Sequence, residues 1–215
     1  DYSIFQKNAA KVFLAGPPLV KMATNEDATD EELGGAIMHS TISGVSDFLA
    51  KDEKEAIKIT KDLIKKIQQP KENKFENQSS LPKFDKNEIL GIIPSNLKKP
   101  FDIRDLVRRF VDSSEFIEFK ENYGRTMFCC WTKINGYPVG IIANNGVIFI
   151  ESAKKATHFI QLANKSNTPL LFIHNTTGFM VGKKYEQNGM INSGSQLIHA
   201  VSGSTVPHIS LPVSY

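Results

Sequence analysis

Apolar and polar positions along this chain change period several times, and each change predicts an element. The richest stretch runs from Asn144 to Gly182, NNGVIFIESAKKATHFIQLANKSNTPLLFIHNTTGFMVG. Val147–Ile150 reads as a short strand. In the following residues Ala153, Ala156, Ile160 and Ala163 recur at helical spacing with Phe159 beside them, which predicts a helix over 152–165. Lys154, Lys155, His158, Gln161 and Lys165 fall on its other side, and Ser152 is placed as its N-cap. Asn167-Thr168-Pro169 stops that helix before a second strand, Leu170–Ile173. Strand, helix, strand is the pattern of a right-handed crossover, and ligands gather where such strands run out into loops.

The same reading covers the rest of the chain. Ile4–Leu14 is apolar and meets a stop at Gly16-Pro17-Pro18. Thr29 and Glu32 have the spacing of a capping box, and Gly34-Gly35 would let a backbone approach closely. Ala56, Thr60, Leu63 and Ile67, widened by Ile57 and Ile64, predict a helix capped by Asp52. The lysines at 54, 58, 61, 65 and 66 make its solvated face. Residues 68–88 are polar, carry Pro70 and Pro82, and read as an interdomain linker. Beyond them Asp102 caps a helix with Leu106, Val107, Phe110 and Val111 inward and Arg104, Arg108 and Arg109 outward. A strand follows over Ser113–Phe119. Met127–Ile134 and Tyr137–Ala143, joined by Asn135-Gly136, predict a hairpin, with Pro138 at an edge or strand start. A helix over Gly189–Ser202 and a strand over Pro207–Leu211 complete the order.

Composition narrows the classes. The chain has 215 residues, 40% hydrophobic and 23% charged, with a formal net charge of +3. That is a globular profile, too weakly basic to imply nucleic acid, and no apolar run approaches the length of a membrane span. The first residues lack the zones of a signal peptide and an initiator Met, so a processed chain or a fragment is expected. Cys129 and Cys130, the only cysteines, are adjacent in a strand and point to opposite faces. They read as reduced core thiols and imply neither a disulfide framework nor a metal site.

Two features could carry chemistry. Asn144-Asn145-Gly146 and His174-Asn175-Thr176-Thr177-Gly178 both follow apolar strands. Asn and Gly tolerate positive φ, which lets N–H groups converge on an oxygen; two ordinary tight turns are the alternative. His39 and Ser43 pair a possible base with a hydroxyl, but Ile42-Ser43-Gly44 lacks the G-x-S-x-G turn, and no orienting acid is evident.

Four segments decide between these readings: AGPPLVK, ELGGAIMHSTISGVSD, NNGVIFIESAKKATHF and NTPLLFIHNTTGFMVGKKYE. They resemble the carboxyltransferase (beta) subunits of biotin-dependent acyl-CoA carboxylases, most of all the methylcrotonyl-CoA carboxylase type. Propionyl-type relatives tend to carry PGF where this chain has Thr177-Gly178-Phe179, and they lack the ESAKK helix start. The resemblance implies an α/β, crotonase-like superhelix of ββα units. Residues 1–67 would form the end of a first, acyl-CoA-side domain, and 89–215 the front of a second, carboxybiotin-side domain.

The resemblance also implies the chemistry. The carboxyl group would pass from carboxybiotin to a branched enoyl-CoA such as 3-methylcrotonyl-CoA, with backbone oxyanion holes and no serine nucleophile. Asn145, Gly146, Thr177, Gly178 and Phe179 would line the carboxybiotin pocket, with Met180 as further wall or plain core. His174 would sit at the rim or serve the fold, and Tyr185 and Glu186 would orient the loop. The expected partners are an acyl-CoA, a biotin-carrying biotin carboxylase (alpha) subunit and further copies of the beta subunit. The expected compartment is the mitochondrial matrix or the bacterial cytoplasm. Gly194-Ser195-Gln196 stands where the family commonly has GAK. The glycine turns of both principal oxyanion holes are expected outside these residues, which would leave this chain inactive alone. Two other readings stay open, a crotonase-type hydratase or isomerase and a catalytically silent chain kept for assembly.

Overall fold

The computed structural model describes residues 2–67, 79–94, 101–175 and 178–214. The chain divides into two compact units, Asp1–Lys71 with Lys120–Tyr123, and Glu72–Phe119 with Gly124–Tyr215.

In the first unit β1 (Ile4–Gln6) pairs in parallel with β2 (Phe48–Ala50). Between them lie α1 (Pro17–Thr24), α2 (Asp30–Gly34), α3 (Ala36–Met38) and a π-helical turn, His39–Ser43, that closes on Gly44 at φ 71°. The capping box at α2 forms: Thr29 Oγ1 accepts from Glu32 N while the Glu32 carboxylate accepts from Thr29 N at 2.8 Å. Gly34 does admit a backbone, because a Cβ there would lie 2.1 Å from the Val12 carbonyl. Asp52 accepts from Glu55 N at 2.8 Å at the start of α4 (Glu53–Ile67), which packs on both strands. Only part of its apolar stripe is covered. Leu63 is buried, whereas Ile57 and Ile64 remain exposed. Asp47 and Lys120 form a buried ion pair at 2.8 Å, and the Asp47 carboxylate also accepts from Ser3 N at 2.7 Å.

The second unit is built on a mixed sheet in the order β3-β4-β5-β6-β7. A short α5 (Ile89–Ile92) and α6 (Ile103–Val107) precede β3 (Ile117–Glu118). Next comes the hairpin, β4 (Met127–Ile134) and β5 (Tyr137–Asn144). Asn135 at φ 53° and Gly136 at φ 81° supply the two left-handed residues of its turn. Pro138 lies before β6 begins to pair at Gly140, so its missing N–H costs the sheet no bond. From β5 onward the sheet is parallel. Helix α7 (Ile150–Lys165) leads to β6 (Leu170–Asn175), and α8 (Lys183–Gln187) with α9 (Met190–Ser202) leads to β7 (His208–Ser214).

Both sheet faces are covered at the centre, which is why β4 and β5 read as nearly continuous apolar runs. Phe128, Cys130, Ile141, Ala143 and Ile173 pack against Ile103, Leu106, Val107 and Val111 around α6. On the opposite face Trp131 lies 4.0 Å from the Phe159 ring of α7. Cys129 and Cys130 are both buried and unbridged, on opposite faces.

Several expectations need correction. The strand expected over Ser113–Phe119 shrinks to two residues. Asp112, at the head of a 3₁₀ turn, instead turns its carboxylate to the hairpin and accepts from Asn135 N at 2.8 Å and Gly136 N at 2.7 Å. Arg104 points not outward but to Glu118, with Nη2 to Oε1 at 2.6 Å, and this bond raises its pKa. Arg109 is likewise largely covered, over the Phe84 ring and paired with Glu88 at 2.7 Å. Lys155, assigned to the solvated side of α7, is 0% exposed with its ammonium 3.9 Å from Glu118. Of the stretch expected as linker, residues 68–78 lie outside the described residues. Lys83 N donates to Ser114 Oγ at 2.8 Å, within the second unit.

Candidate functional site

The parallel strands β5 and β6 end side by side, and the loops that leave them meet. Ile148 N donates to Gly178 O at 3.0 Å and Met180 N donates to Ile148 O at 2.9 Å, so one residue of each loop pairs as in a parallel ladder. This single bridge replaces the strand expected over Val147–Ile150, because α7 already begins at Ile150. Gly146 at φ 123° and Gly178 at φ 127° flank the bridge in conformations that side-chain-bearing residues rarely adopt. A Cβ at Gly178 would meet nothing within 4 Å, and one at Gly146 only the Thr126 methyl at 4.0 Å. The backbone at both positions is therefore approachable.

Three further contacts shape the wall. Phe179 is 39% exposed, and its ring lies over Gly194 of α9, where a Cβ would sit 3.5 Å from it. Tyr185 packs its ring on Phe149 at 5.7 Å, which ties α8 to the first loop, while its N–H donates to Gly182 O at the start of α8 itself. His174 stacks parallel to Phe172 with centroids 6.4 Å apart. Phe149 is the N-cap of α7 and offers no side-chain cap. Ser152, expected to cap, lies inside the helix and bonds Thr126 Oγ1 at 2.8 Å. The first turn of α7 thus keeps the positive end of its dipole beside the loop.

Asn145 does not act as its sequence suggests. Its side-chain oxygen accepts from Ile103 N at 3.1 Å, its amide donates to Asp102 at 3.2 Å, and its own N–H donates to Thr126 O at 2.8 Å. Asp102 in turn accepts from Arg104 N, as expected of a cap. Every hydrogen-bonding group of Asn145 named here serves α6 and the turn, so its part is to hold the loop. Among the described residues the Gly146 N–H donates to no partner. Thr177 lies outside the described residues.

The helix pair behind the loop is braced from below. Glu118 receives Arg104 of α6 through Nε at 2.8 Å and Nη2 at 2.6 Å, with Lys155 of α7 close by. Burial pushes the neighbouring Cys129 thiol up to about 12, an effect that Lys155 partly opposes. Sequence reasoning missed this brace because an acid in a two-residue edge strand leaves no periodic signal. Glu118, Arg104 and Lys155 also lie far apart in the sequence, so no local pattern links them. Among the described residues no group of three or more His, Cys, Asp and Glu is placed to hold a metal, and no helix is long and apolar enough to cross a membrane.

Residues 1–213 match the model of the carboxyl transferase domain family. The chain is 53% identical over 212 residues to the probable biotin-dependent acyl-coenzyme A carboxylase beta2 subunit of Mycobacterium tuberculosis, covering 98% of this chain and 40% of that one. It is 47% identical to the mitochondrial methylcrotonoyl-CoA carboxylase beta chain of Dictyostelium discoideum, covering 98% and 36%. The crystal structure of transcarboxylase 12S, described as a hexamer with methylmalonyl-coenzyme A and methylmalonic acid bound, superimposes with a TM-score of 0.88. Its identity is 34%, over 99% of this chain and 42% of that one. The fold is thus the crotonase-like fold of carboxyltransferase beta subunits. The chain spans about two fifths of the length of the relatives it matches.

Proposed function

The chain belongs to the carboxyl transferase domain family, and on that premise we propose that its subunit moves a carboxyl group from carboxybiotin to an acyl-CoA. The favoured acceptor is a branched enoyl-CoA such as 3-methylcrotonyl-CoA, as in the breakdown of leucine. A methylcrotonoyl-CoA carboxylase beta chain at 47% identity supports that choice, with a longer relative such as geranyl-CoA as the competing acceptor. In this reading residues 1–67 close the acyl-CoA-side domain and 89–215 open the carboxybiotin-side domain. A biotin-bearing biotin carboxylase subunit and further copies of the subunit are its partners. Its compartment is the mitochondrial matrix or the bacterial cytoplasm.

The observation that carries the proposal is the Ile148–Phe179 bridge, which joins two glycine-bearing loops at the ends of parallel strands. The site fits a ureido ring. Gly146 offers an N–H, the first turn of α7 adds positive potential, and Phe179 supplies an apolar wall seated on Gly194. Carboxybiotin would bring the transferable carboxylate and, once CO2 leaves, the ureido nitrogen that accepts the substrate proton. Gly146 and Gly178 admit the ring to the backbone, Asn145 fixes the loop against Asp102 and Ile103, and Phe179 excludes water from one side. Fixed backbone donors in a dry site stabilise developing negative charge without a side-chain acid or base. Thr177 joins the set on the strength of the resemblance.

Gly146→Val and Gly178→Val in the full-length subunit test the reading. Each would force a branched side chain into positive φ and close the approach. Carboxyl transfer is expected to fall roughly 100-fold or more, the scale of losing an oxyanion donor, while acyl-CoA still binds. Wild-type transfer rates in both variants would refute the site.

A further inference from the structure

The first unit holds a hydroxyl–imidazole pair to which the carboxyl-transfer reading gives no part. His39 and Ser43 face each other across the π-helical turn, with Nδ1 and Oγ 2.7 Å apart, and His39 Nε2 lies 2.7 Å from the Val12 carbonyl. A carbonyl only accepts, so Nε2 carries the ring proton. In the neutral imidazole the Nδ1 lone pair is then turned to Ser43, whose O–H donates to it. The ring is 8% exposed and held edge-on by Phe5 at 5.6 Å, so it has little freedom to turn away. Ser43 is exposed, and Val45 N donates to its Oγ at 3.3 Å, a contact that favours charge developing on that oxygen. The weaker competing acceptor is the His39 carbonyl at 3.5 Å.

These are the parts of a base-activated serine: a nucleophile, a base within hydrogen-bond reach and a group that orients the base. The orienting acid missing from the sequence is replaced by a backbone carbonyl. Residues four apart on one helical turn share a face, which brings the His39 ring to the Ser43 hydroxyl.

We propose that Ser43 is an acyl-acceptor site, activated by His39 and open to activated acyl donors such as thioesters. Ser43 Oγ attacks the acyl carbon and gives its proton to His39 Nδ1. The carbon–sulfur bond breaks, and the leaving thiolate takes that proton to depart as the free thiol. Ser43 is left as an O-acyl ester. The product is read as one adduct per chain. This is independent of the carboxyl-transfer reading, since the reaction needs neither biotin nor the second unit's loops.

The test labels the full-length subunit with a biotin-free alkyl fluorophosphonate and, separately, with p-nitrophenyl acetate, and maps the adduct by peptide mass spectrometry. The fluorophosphonate reacts likewise, with fluoride leaving as the phosphorus–oxygen bond forms. Ser43 is expected to be modified, whereas Thr41, exposed but bonded to the Ile37 carbonyl, stays free as an internal control. His39→Asn is expected to slow labelling about 100-fold, the scale of a lost general base, with circular dichroism confirming a folded chain. His39→Gln serves as the second variant if Asn unfolds the unit. No adduct at Ser43 in the folded wild type, or equal labelling rates in a folded His39 variant, would overturn the proposal.

Discussion

Replacing Glu118 by alanine probes the brace behind the candidate site. Glu118 is 8% exposed on its side chain and lies between a 0%-exposed Lys155 and a largely covered Arg104. Removing the carboxylate takes a partner from the fully buried Lys155 ammonium and from the largely covered Arg104. Breaking a buried ion pair from one side costs about 3–5 kcal/mol, whereas an exposed pair contributes about 1 kcal/mol or less. Arg104 keeps a second carboxylate, Asp102 at 3.2 Å, which places the expected cost toward the lower end. The surface pair Arg108–Asp105, at 3.8 Å, is the control, and Asp105→Ala should cost little. Trp131, the single tryptophan of these 215 residues, is buried beneath α7, so in this chain its fluorescence in a urea titration reports the second unit. Restoring neutrality with Glu118→Ala and Lys155→Met together should recover much of the loss, as apolar replacement of buried pairs often does. A Glu118→Ala midpoint within about 1 kcal/mol of wild type, in the scale of a surface pair, would refute the argument that these charges are desolvated.

Two further perturbations test the packing. At Gly140 a Cβ would lie 2.9 Å from both Leu170 and Trp131 and 3.1 Å from Phe159, so Gly140→Ala should destabilise by about 1–3 kcal/mol; an unchanged urea midpoint would contradict the contact. The Cys129 thiol, pushed from an ordinary 9.0 up to about 12 by burial, stays protonated in the folded chain while the unfolded chain loses its proton first. Its contribution is therefore fully present below about pH 9 and is lost as pH rises toward 12, on the order of 4 kcal/mol at full extent. Comparing alkaline unfolding of the native chain with Cys129→Ala measures it; identical alkaline slopes would mean that the thiol is not buried as described.

What the sequence made legible were the features whose signal is local. Asn135-Gly136 sets its own left-handed turn, the Thr29–Glu32 box satisfies helix donors three residues apart, and the α7 stripe repeats with the helical period. Each depends on neighbours within a few residues. Features that depend on distant partners were misread. Lys155 sits where helical period puts solvent, yet Glu118, thirty-seven positions earlier, draws it inside. Arg104 is turned inward by the same acid, and Asp112 leaves its own segment to secure a hairpin turn more than twenty residues on. Asn145 shows both sides. Its type and place in a loop were informative, but its side chain is spent on Ile103 and Asp102 rather than on a ligand. The pairing of His39 with Ser43 was visible as spacing, whereas the Val12 carbonyl that completes it comes from a segment remote in sequence.

On the proposed reading, this chain forms part of an acyl-CoA carboxyltransferase whose carboxybiotin side lies at the Gly146 and Gly178 loops. The most direct test supplies the native subunit, with its biotin-bearing partner, ATP and isotope-labelled bicarbonate, with 3-methylcrotonyl-CoA, geranyl-CoA and propionyl-CoA in turn. Label is expected in the carboxylated acyl-CoA, greatest with 3-methylcrotonyl-CoA and lost with Gly178→Val. A charged biotin that passes label to none of the three acyl-CoAs would contradict it.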